Sequence, residues 1–404
     1  MIKILYVSAL CSEKVLDNIY ETSINKPEQA AQKFHRLLAK GFALQQQNCC
    51  IETLSTLPVV PANHKRKIWN LPSETINKLK FRYIPFINLP YIKNSGIFCY
   101  TFIKVFLWTL SIRKKNKVVI CDVLNLTVSL ASFWAARLTG ATCVAIVTDL
   151  PGLMVTTGGK KDNTTRSLYH TMVSTMMQGF DRYILLTEQM NEIVNPKNKP
   201  YIIMEGLVDL EMEASSNILD KKNTNKKVLI YAGGLYAKYG IKDLIEAFML
   251  LENVDVELHL YGSGEMVTEM DAYMRKDQRI HFKGMVPNKI VVKDQLAATL
   301  LINPRPTNEE FTKFSFPSKN MEYMVSGTPM ITTKLPGMPK EYYPYVYLFE
   351  EENVEGMKNT LQKILSKSKE DLHQFGLEAK KFVLTNKNNQ IQAQRILQFL
   401  KENA

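Results

Sequence analysis

Residues 303–337 read NPRPTNEEFTKFSFPSKNMEYMVSGTPMITTKLPG. The stretch leaves an apolar strand candidate, Leu300–Asn303, and crosses a polar loop. It then enters a helical pattern over Pro317–Ser326. Proline suits the first turn of a helix because its missing N–H is not needed there, and Gly327 is a stop signal just past the end. Thr328-Pro329 leads into the next strand candidate, Met330–Thr332. Strand, helix and strand in this order are one step of a β/α alternation.

The same alternation extends in both directions. Downstream of residue 227 the strand candidates are Val228–Ala232, Val256–Tyr261, Ile280–Lys283, Leu300–Asn303, Met330–Thr332 and Tyr347–Phe349. Helical patterns over Ile241–Leu251, Glu265–Lys276, Ile290–Ala298 and Pro317–Ser326 separate most of them. In the first half the candidates are Ile2–Ser8, Val118–Cys121, Cys143–Val147, Tyr183–Leu186 and Tyr201–Met204, with helices over Gln29–Gln47 and Leu126–Leu138. Near-continuous apolar runs of this kind suit parallel strands buried on both faces. The polar stretch from Asp209 to Lys227 reads as a linker between the two series. The expectation is an α/β protein of two facing, doubly wound, Rossmann-like domains over residues 1–210 and 211–404. The last helix, from about Gln390, is able to pack back on the first domain. Ligands of such sheets bind beyond the carboxyl ends of the strands, so an interdomain cleft is the expected site.

Composition sets outer limits. The chain has 404 residues, 46% hydrophobic and 22% charged, which suits two globular cores and excludes disordered or collagen-like readings. A formal net charge of +12 favours an acidic partner such as nucleotide phosphates or an anionic membrane. The six cysteines form no CxxC pair and read as inert thiols rather than a disulfide or zinc framework. MIKILYVSAL lacks the order of a signal peptide, and no unbroken apolar run reaches the ~18 residues of a spanning helix. The expected location is cytoplasmic.

Chemistry concentrates in the quoted stretch. A helix start offers free N–H groups and the positive end of a dipole, both of which favour an anion. Lys319 puts a cation in that first turn, where it opposes the dipole unless an anionic ligand is present, and Arg305 stands on the approaching loop. Glu322, one turn further on, can accept hydrogen bonds from vicinal hydroxyls such as those of a ribose. Two absences narrow the class. No GxGxxG follows the first strand, and no GxxxxGK[ST] occurs, which argues against a dinucleotide-dependent dehydrogenase and a P-loop enzyme. No DxD pair of metal-holding carboxylates occurs, so a metal-independent site is expected.

With these residues stand YAGGLYAKYGIKDLIEAF (231–248), LYGSGE (260–265), IHFKGMVP (280–287) and FPSKNMEYMVSGTPMITT (316–333). Together they resemble the retaining GT-B glycosyltransferases of family 4, which build polysaccharides from nucleotide sugars. The resemblance covers nearly all of the second half and is looser over QAAQKFHRLLAKG (29–41) and VAIVTDLPG (144–152). It implies a nucleoside diphosphate sugar donor, with a UDP- or GDP-sugar expected, no further cofactor and transfer with retention. Glu322 matches the second glutamate of the family's E-x7-E motif. The first would fall on Phe314, and Glu310 on the preceding loop is the candidate substitute. The family's diphosphate-binding arginine and lysine fall on Gly234 and Tyr239, so charge neutralisation shifts to Lys238, Lys319 and Arg305, while Gly233-Gly234 lets backbone approach the phosphates. Backbone at Met285 and Val286 is expected to read the base. In the first half, the family's cleft histidine is replaced at Thr148-Asp149, which makes Asp149 the candidate for polar work on a hydroxyl. Gln29 and Lys33, on a helix start facing the cleft, are candidates on the acceptor side.

A basic and aromatic run precedes a strongly apolar helix. Lys65, Arg66, Lys67, Lys78, Lys80, Arg82 and Lys93 interleave with Trp69, Phe81, Tyr83, Phe86 and Tyr91, followed by IFCYTFIKVFLWTL (97–110) and Arg113, Lys114 and Lys115. This suits docking on an anionic membrane surface and a saccharide acceptor that is lipid-linked. The competing reading makes the helix core. No nucleic-acid-binding module is recognisable, so nucleic acid is not an expected partner. Two rival functions stay open: a sugar-nucleotide 2-epimerase of the same fold, and a non-catalytic nucleotide-sugar-binding or scaffold subunit.

Overall fold

The computed structural model of the chain describes residues 1–25, 30–112, 117–150, 173, 175–222 and 226–403. It divides into two compact units, Met1–Leu207 together with Asn389–Ala404, and Val208–Asn388.

In chain order the strands of the first unit are β1 (Ile2–Ser8), β2 (Cys49–Ser55), β3 (Ile68–Trp69), β4 (Glu74–Ile76), β5 (Leu79–Phe81), β6 (Phe86–Ile87), β7 (Lys117–Asp122), β8 (Thr142–Val147), β9 (Arg182–Leu185) and β10 (Tyr201–Ile203). Eight of them form one sheet in the order β10-β9-β8-β7-β1-β2-β5-β4, parallel except where β4 turns back on β5. β3 and β6 pair separately and antiparallel. Every residue of β7 is buried. Such burial on both faces is why these strands read as unbroken apolar runs. β2 escaped that signal because Glu52 and Thr53 interrupt it; Glu52 is held by Arg82 at 2.8 Å.

The last helix, Asn389–Glu402, belongs to this first unit. It lies against the helix Ala30–Leu44, and Gly41 is the reason they approach so closely: a Cβ there would stand 2.1 Å from the Asn389 carbonyl oxygen. Gln392 Nε2 donates to the Gly206 carbonyl at 2.7 Å, and Arg182 donates to the Leu400 carbonyl at 2.8 Å.

The second unit contains β11 (Lys227–Ala232), β12 (Val256–Tyr261), β13 (Ile280–Gly284), β14 (Leu300–Asn303), β15 (Met330–Thr332) and β16 (Tyr347–Leu348). They form one parallel sheet in the order β13-β12-β11-β14-β15-β16. This is the doubly wound order 3-2-1-4-5-6, whose direction of winding switches between β11 and β14. Leu258, Leu260, Leu300 and Ile302 face one side, into a core with the helix Ile241–Met249. Ile230, Leu301 and Met330 face the other, against Met321 and Met324 of the helix Ser318–Ser326. The helical pattern expected over Glu265–Lys276 is a 3-10 turn, Glu265–Glu269, followed by the helix Met270–Lys276.

The polar stretch after Asp209 is not a free tether. Asn217 donates to the Ser326 carbonyl and Thr328 Oγ1 at 3.0 and 2.9 Å. The buried Lys222 ammonium donates to the Ala298 carbonyl at 2.8 Å. The Asn217 amide and the Lys222 ammonium find backbone partners elsewhere in the second unit, which hydropathy alone does not reveal.

Candidate active site

Ligands of a doubly wound sheet sit where the winding reverses, outside the carboxyl ends of the strands. In the second unit that point is the pair of loops after β11 and β14. Glycine shapes the first. The Gly233 N–H donates to the Tyr261 carbonyl at 2.9 Å, and Leu235 N–H donates to the Ser263 carbonyl at 2.8 Å, so the loops after β11 and β12 are tied together.

The helix Ser318–Ser326 points its start at the same place. Pro317 offers its first turn no side-chain cap. Lys319 lies back over the β11 loop: its Nζ donates to Tyr231 Oη at 3.3 Å and stands 4.8 Å from the Tyr231 ring centre. The ammonium occupies the space that a side chain on Gly233 would need, since a Cβ there would fall 1.5 Å from Nζ. Gly233 and Lys319 are thus one feature, a bare backbone with a cation laid on it. The Tyr231 phenol donates to the Gly234 carbonyl at 2.7 Å. Burial pushes its pKa upward, against the pull of Arg305, so it stays a neutral donor.

The second group of cations gathers on aromatic rings. The Arg305 guanidinium stands 4.7 Å from the Tyr239 ring centre and 5.3 Å from that of Phe311. Lys238 Nζ lies 5.6 and 5.9 Å from the same two rings. Tyr239 and Phe311 therefore collect both cations, a grouping that no local pattern in the sequence shows. Arg305 also donates to Ser315 Oγ at 3.4 Å. Glu310 is exposed and opens the 3-10 turn Glu310–Phe314, next to Phe311. Glu322 is partly buried on the second turn of the helix Ser318–Ser326, three residues after Lys319. Met285 is exposed and Val286 half-buried on the loop after β13. That loop is tied to the site by the Gly262 N–H, which donates to the Gly284 carbonyl at 2.9 Å.

The candidates in the first unit form a separate group. Asp149 follows β8, is half-buried, and its Oδ1 accepts from the Leu150 N–H at 2.7 Å. Lys33 is half-buried on the helix Ala30–Leu44. Gln29 lies outside the described residues. Sequence reading passed over that helix's buried neighbours. Gln32 is buried and accepts from the Cys11 N–H at 3.1 Å, which holds the loop after β1. His35 lies within 2.7 Å of the Tyr6 hydroxyl through Nδ1 and 3.2 Å of Asp122 Oδ2 through Nε2. Burial alone would raise the Asp122 carboxyl, but His35, the Asn125 amide and the Leu124 N–H hold it below its ordinary value.

The comparisons with known proteins bear on this geometry. Residues 216–382 match glycosyl transferases group 1. The match spans most of the second unit and contains Gly233, Lys238, Arg305, Lys319 and Glu322. Among solved structures, sucrose-phosphate synthase of Thermosynechococcus elongatus is similar at a TM-score of 0.64 and 14% identity, covering 100% of this chain and 99% of that one. HepE of Anabaena, in complex with UDP, is similar at a TM-score of 0.64 and 13% identity, covering 99% and 100%. The lipopolysaccharide outer core galactosyltransferase WaaB is similar at a TM-score of 0.60 and 15% identity, covering 100% of both chains. The fold is therefore GT-B. No curated protein sequence matches the chain.

Proposed function

We propose that this chain is a group 1 glycosyltransferase that moves a sugar from a nucleoside diphosphate sugar to a saccharide acceptor, with retention, in the assembly of a cell-surface polysaccharide. The observation that carries the reading is the Lys319 ammonium lying on Gly233 at the start of an uncapped helix. A diphosphate there would meet backbone N–H groups, a dipole and a cation together. These would stabilise the charge that develops on the leaving diphosphate as the sugar departs. Glu322 would hold the ribose, and backbone at Met285 and Val286 would read the base. Lys238 and Arg305 would add positive potential. Glu310 would stand in for the sugar-binding glutamate that Phe314 replaces. Asp149 and Lys33 would serve the acceptor hydroxyl. Support also comes from HepE, which has been solved with UDP-glucose. The test is release of nucleoside diphosphate from a panel of nucleotide sugars, with saccharide and lipid-extract acceptors. Release from one sugar nucleotide that depends on an acceptor supports the reading. No release under any combination assigns the chain to a binding or scaffold role.

A lipid-linked acceptor and a cytosolic membrane face form the second part of the proposal. The helix Ile92–Leu110 buries only one side, through Ile97, Thr101, Val105 and Thr109. Ile103, Leu107 and Leu110 are each more than half exposed, as are Trp134 and Leu138 of the helix Leu126–Thr139 that packs along it. Of the aromatics expected at a membrane, Trp69, Phe81, Tyr83 and Phe86 are instead buried, because each completes the packing of a short strand or its flank, and Tyr91 alone of that set is exposed. Arg113, Lys114 and Lys115 lie outside the described residues. The basic component is nevertheless present. A hollow of about 370 Å³ beside this helix is lined by Lys80, Arg82 and Lys104 with Tyr100 and Trp108. Among the described residues no helix is long and apolar enough to cross a membrane. We expect Leu107→Glu with Leu110→Glu to lower partition onto anionic vesicles more than about 10-fold, since a buried leucine is worth about 1.5–3 kcal/mol. Flotation assays read this directly. Unchanged flotation by the double variant would remove the helix from the docking surface.

A further inference from the structure

Away from the donor loops, one face of the second sheet gathers three side chains with metal-binding atoms. Glu257 and His259 stand two residues apart on β12 and so project to the same side. The strand register sets His281 of β13 directly beside His259. Glu257 Oε2 lies 3.0 Å from His259 Nε2, and Oε1 lies 3.6 Å from His281 Nε2. One ligand atom from each of the three falls within 4.8 Å of the others. Ligand atoms around a tetrahedral zinc ion, at about 2.0–2.2 Å from the metal, stand about 3.3–3.6 Å apart, so the three groups would draw together within their 4.8 Å span to hold one. The three side chains are 15, 16 and 35% exposed, which is open enough for an ion and its waters to enter.

We infer that Glu257, His259 and His281 bind a divalent transition-metal ion of the zinc class, with water completing its coordination. Two imidazoles and a carboxylate favour zinc, copper or nickel over magnesium or calcium, which prefer oxygen ligands. The site is independent of the donor site proposed above and shares none of its residues. Two neighbouring cations bear on affinity. Lys226 is paired with Glu257 Oε1 and must swing aside, and Lys283 lies on the same strand as His281. A bound ion would clip edge strand β13 to β12. Those strands end in Gly284 and at Gly262, which carry the loops beside the donor candidates.

The test is titration of the chelator-treated full chain with zinc chloride by calorimetry, with magnesium as control. One saturable, EDTA-reversible zinc site is expected, with a melting temperature raised by several degrees at saturation. Losing a direct ligand should weaken binding more than the 10-fold typical of an outer-sphere change, in both His259→Asn and His281→Asn. Lys226→Gln should tighten it. His281 is the more exposed histidine, so His281→Asn keeps the test sound if His259→Asn does not fold. Absence of saturable zinc binding overturns the inference, as does undiminished binding by His281→Asn.

Discussion

Gly233→Ala should leave the protein folded and remove most of the nucleoside diphosphate affinity proposed for the β11 loop. The added Cβ would fall 1.5 Å from Lys319 Nζ and 2.0 Å from its Cε. Both atoms are the far end of a flexible side chain, so the lysine swings away at small cost to stability. It then no longer lies over the β11 loop. A hydrogen bond to a charged group is worth about 1.5–3 kcal/mol, which is about 10–100-fold in affinity. Lys319→Met should give the same loss. The double variant should lose little more than either single one, because both changes remove one contact. Calorimetric affinities for the four proteins, with melting temperatures alongside, check this. A Gly233→Ala protein that binds like wild type would separate the glycine from the lysine and from the donor.

Asp122→Ala should destabilise the first unit by about 1–3 kcal/mol, the cost of leaving its buried hydrogen-bond partners unsatisfied. Asp122, His35 and Tyr6 are each at most 3% exposed. The carboxylate also anchors the turn after β7, through the Leu124 N–H at 3.1 Å and the Asn125 amide. The pH dependence has a definite sign. The folded carboxyl titrates below its unfolded counterpart, so its contribution is fully present above the unfolded value of about 4. It is lost as pH falls below that and through the folded value. Wild type should therefore lose stability more steeply on acidification than Asp122→Ala does. Urea melts at a series of pH values from neutral downward measure both effects. A cost under 1 kcal/mol, or parallel acid profiles, would mean that the network holds the fold only weakly.

The alternation of apolar runs made both sheets legible. Ile2–Ser8, Val256–Tyr261, Leu300–Asn303 and Met330–Thr332 are strands at the bounds that hydropathy suggested. β2 stayed hidden because Glu52 is stabilised by an arginine 30 residues away, a partner no local pattern shows. The helix at 318–326 could be placed from Pro317 and Gly327, but its lysine's seat on Gly233 depends on a contact across more than eighty residues. Likewise His259 and His281 are unremarkable in sequence, and only the register of adjacent strands makes them neighbours. The grouping of Lys238 with Arg305 on Tyr239 and Phe311 is of the same kind. The membrane-directed aromatics were misread for a related reason: composition gives their number, while packing decides which face they take.

The most direct measurement is a calorimetric titration of the full chain with UDP, GDP, ADP and dTDP, on wild type and on Glu322→Ala. Wild type should bind nucleotides of one base, and Glu322→Ala should bind them at least about 10-fold more weakly if Glu322 holds the ribose as proposed. No binding by wild type, or equal binding by the variant, would contradict a donor site built on the helix Ser318–Ser326.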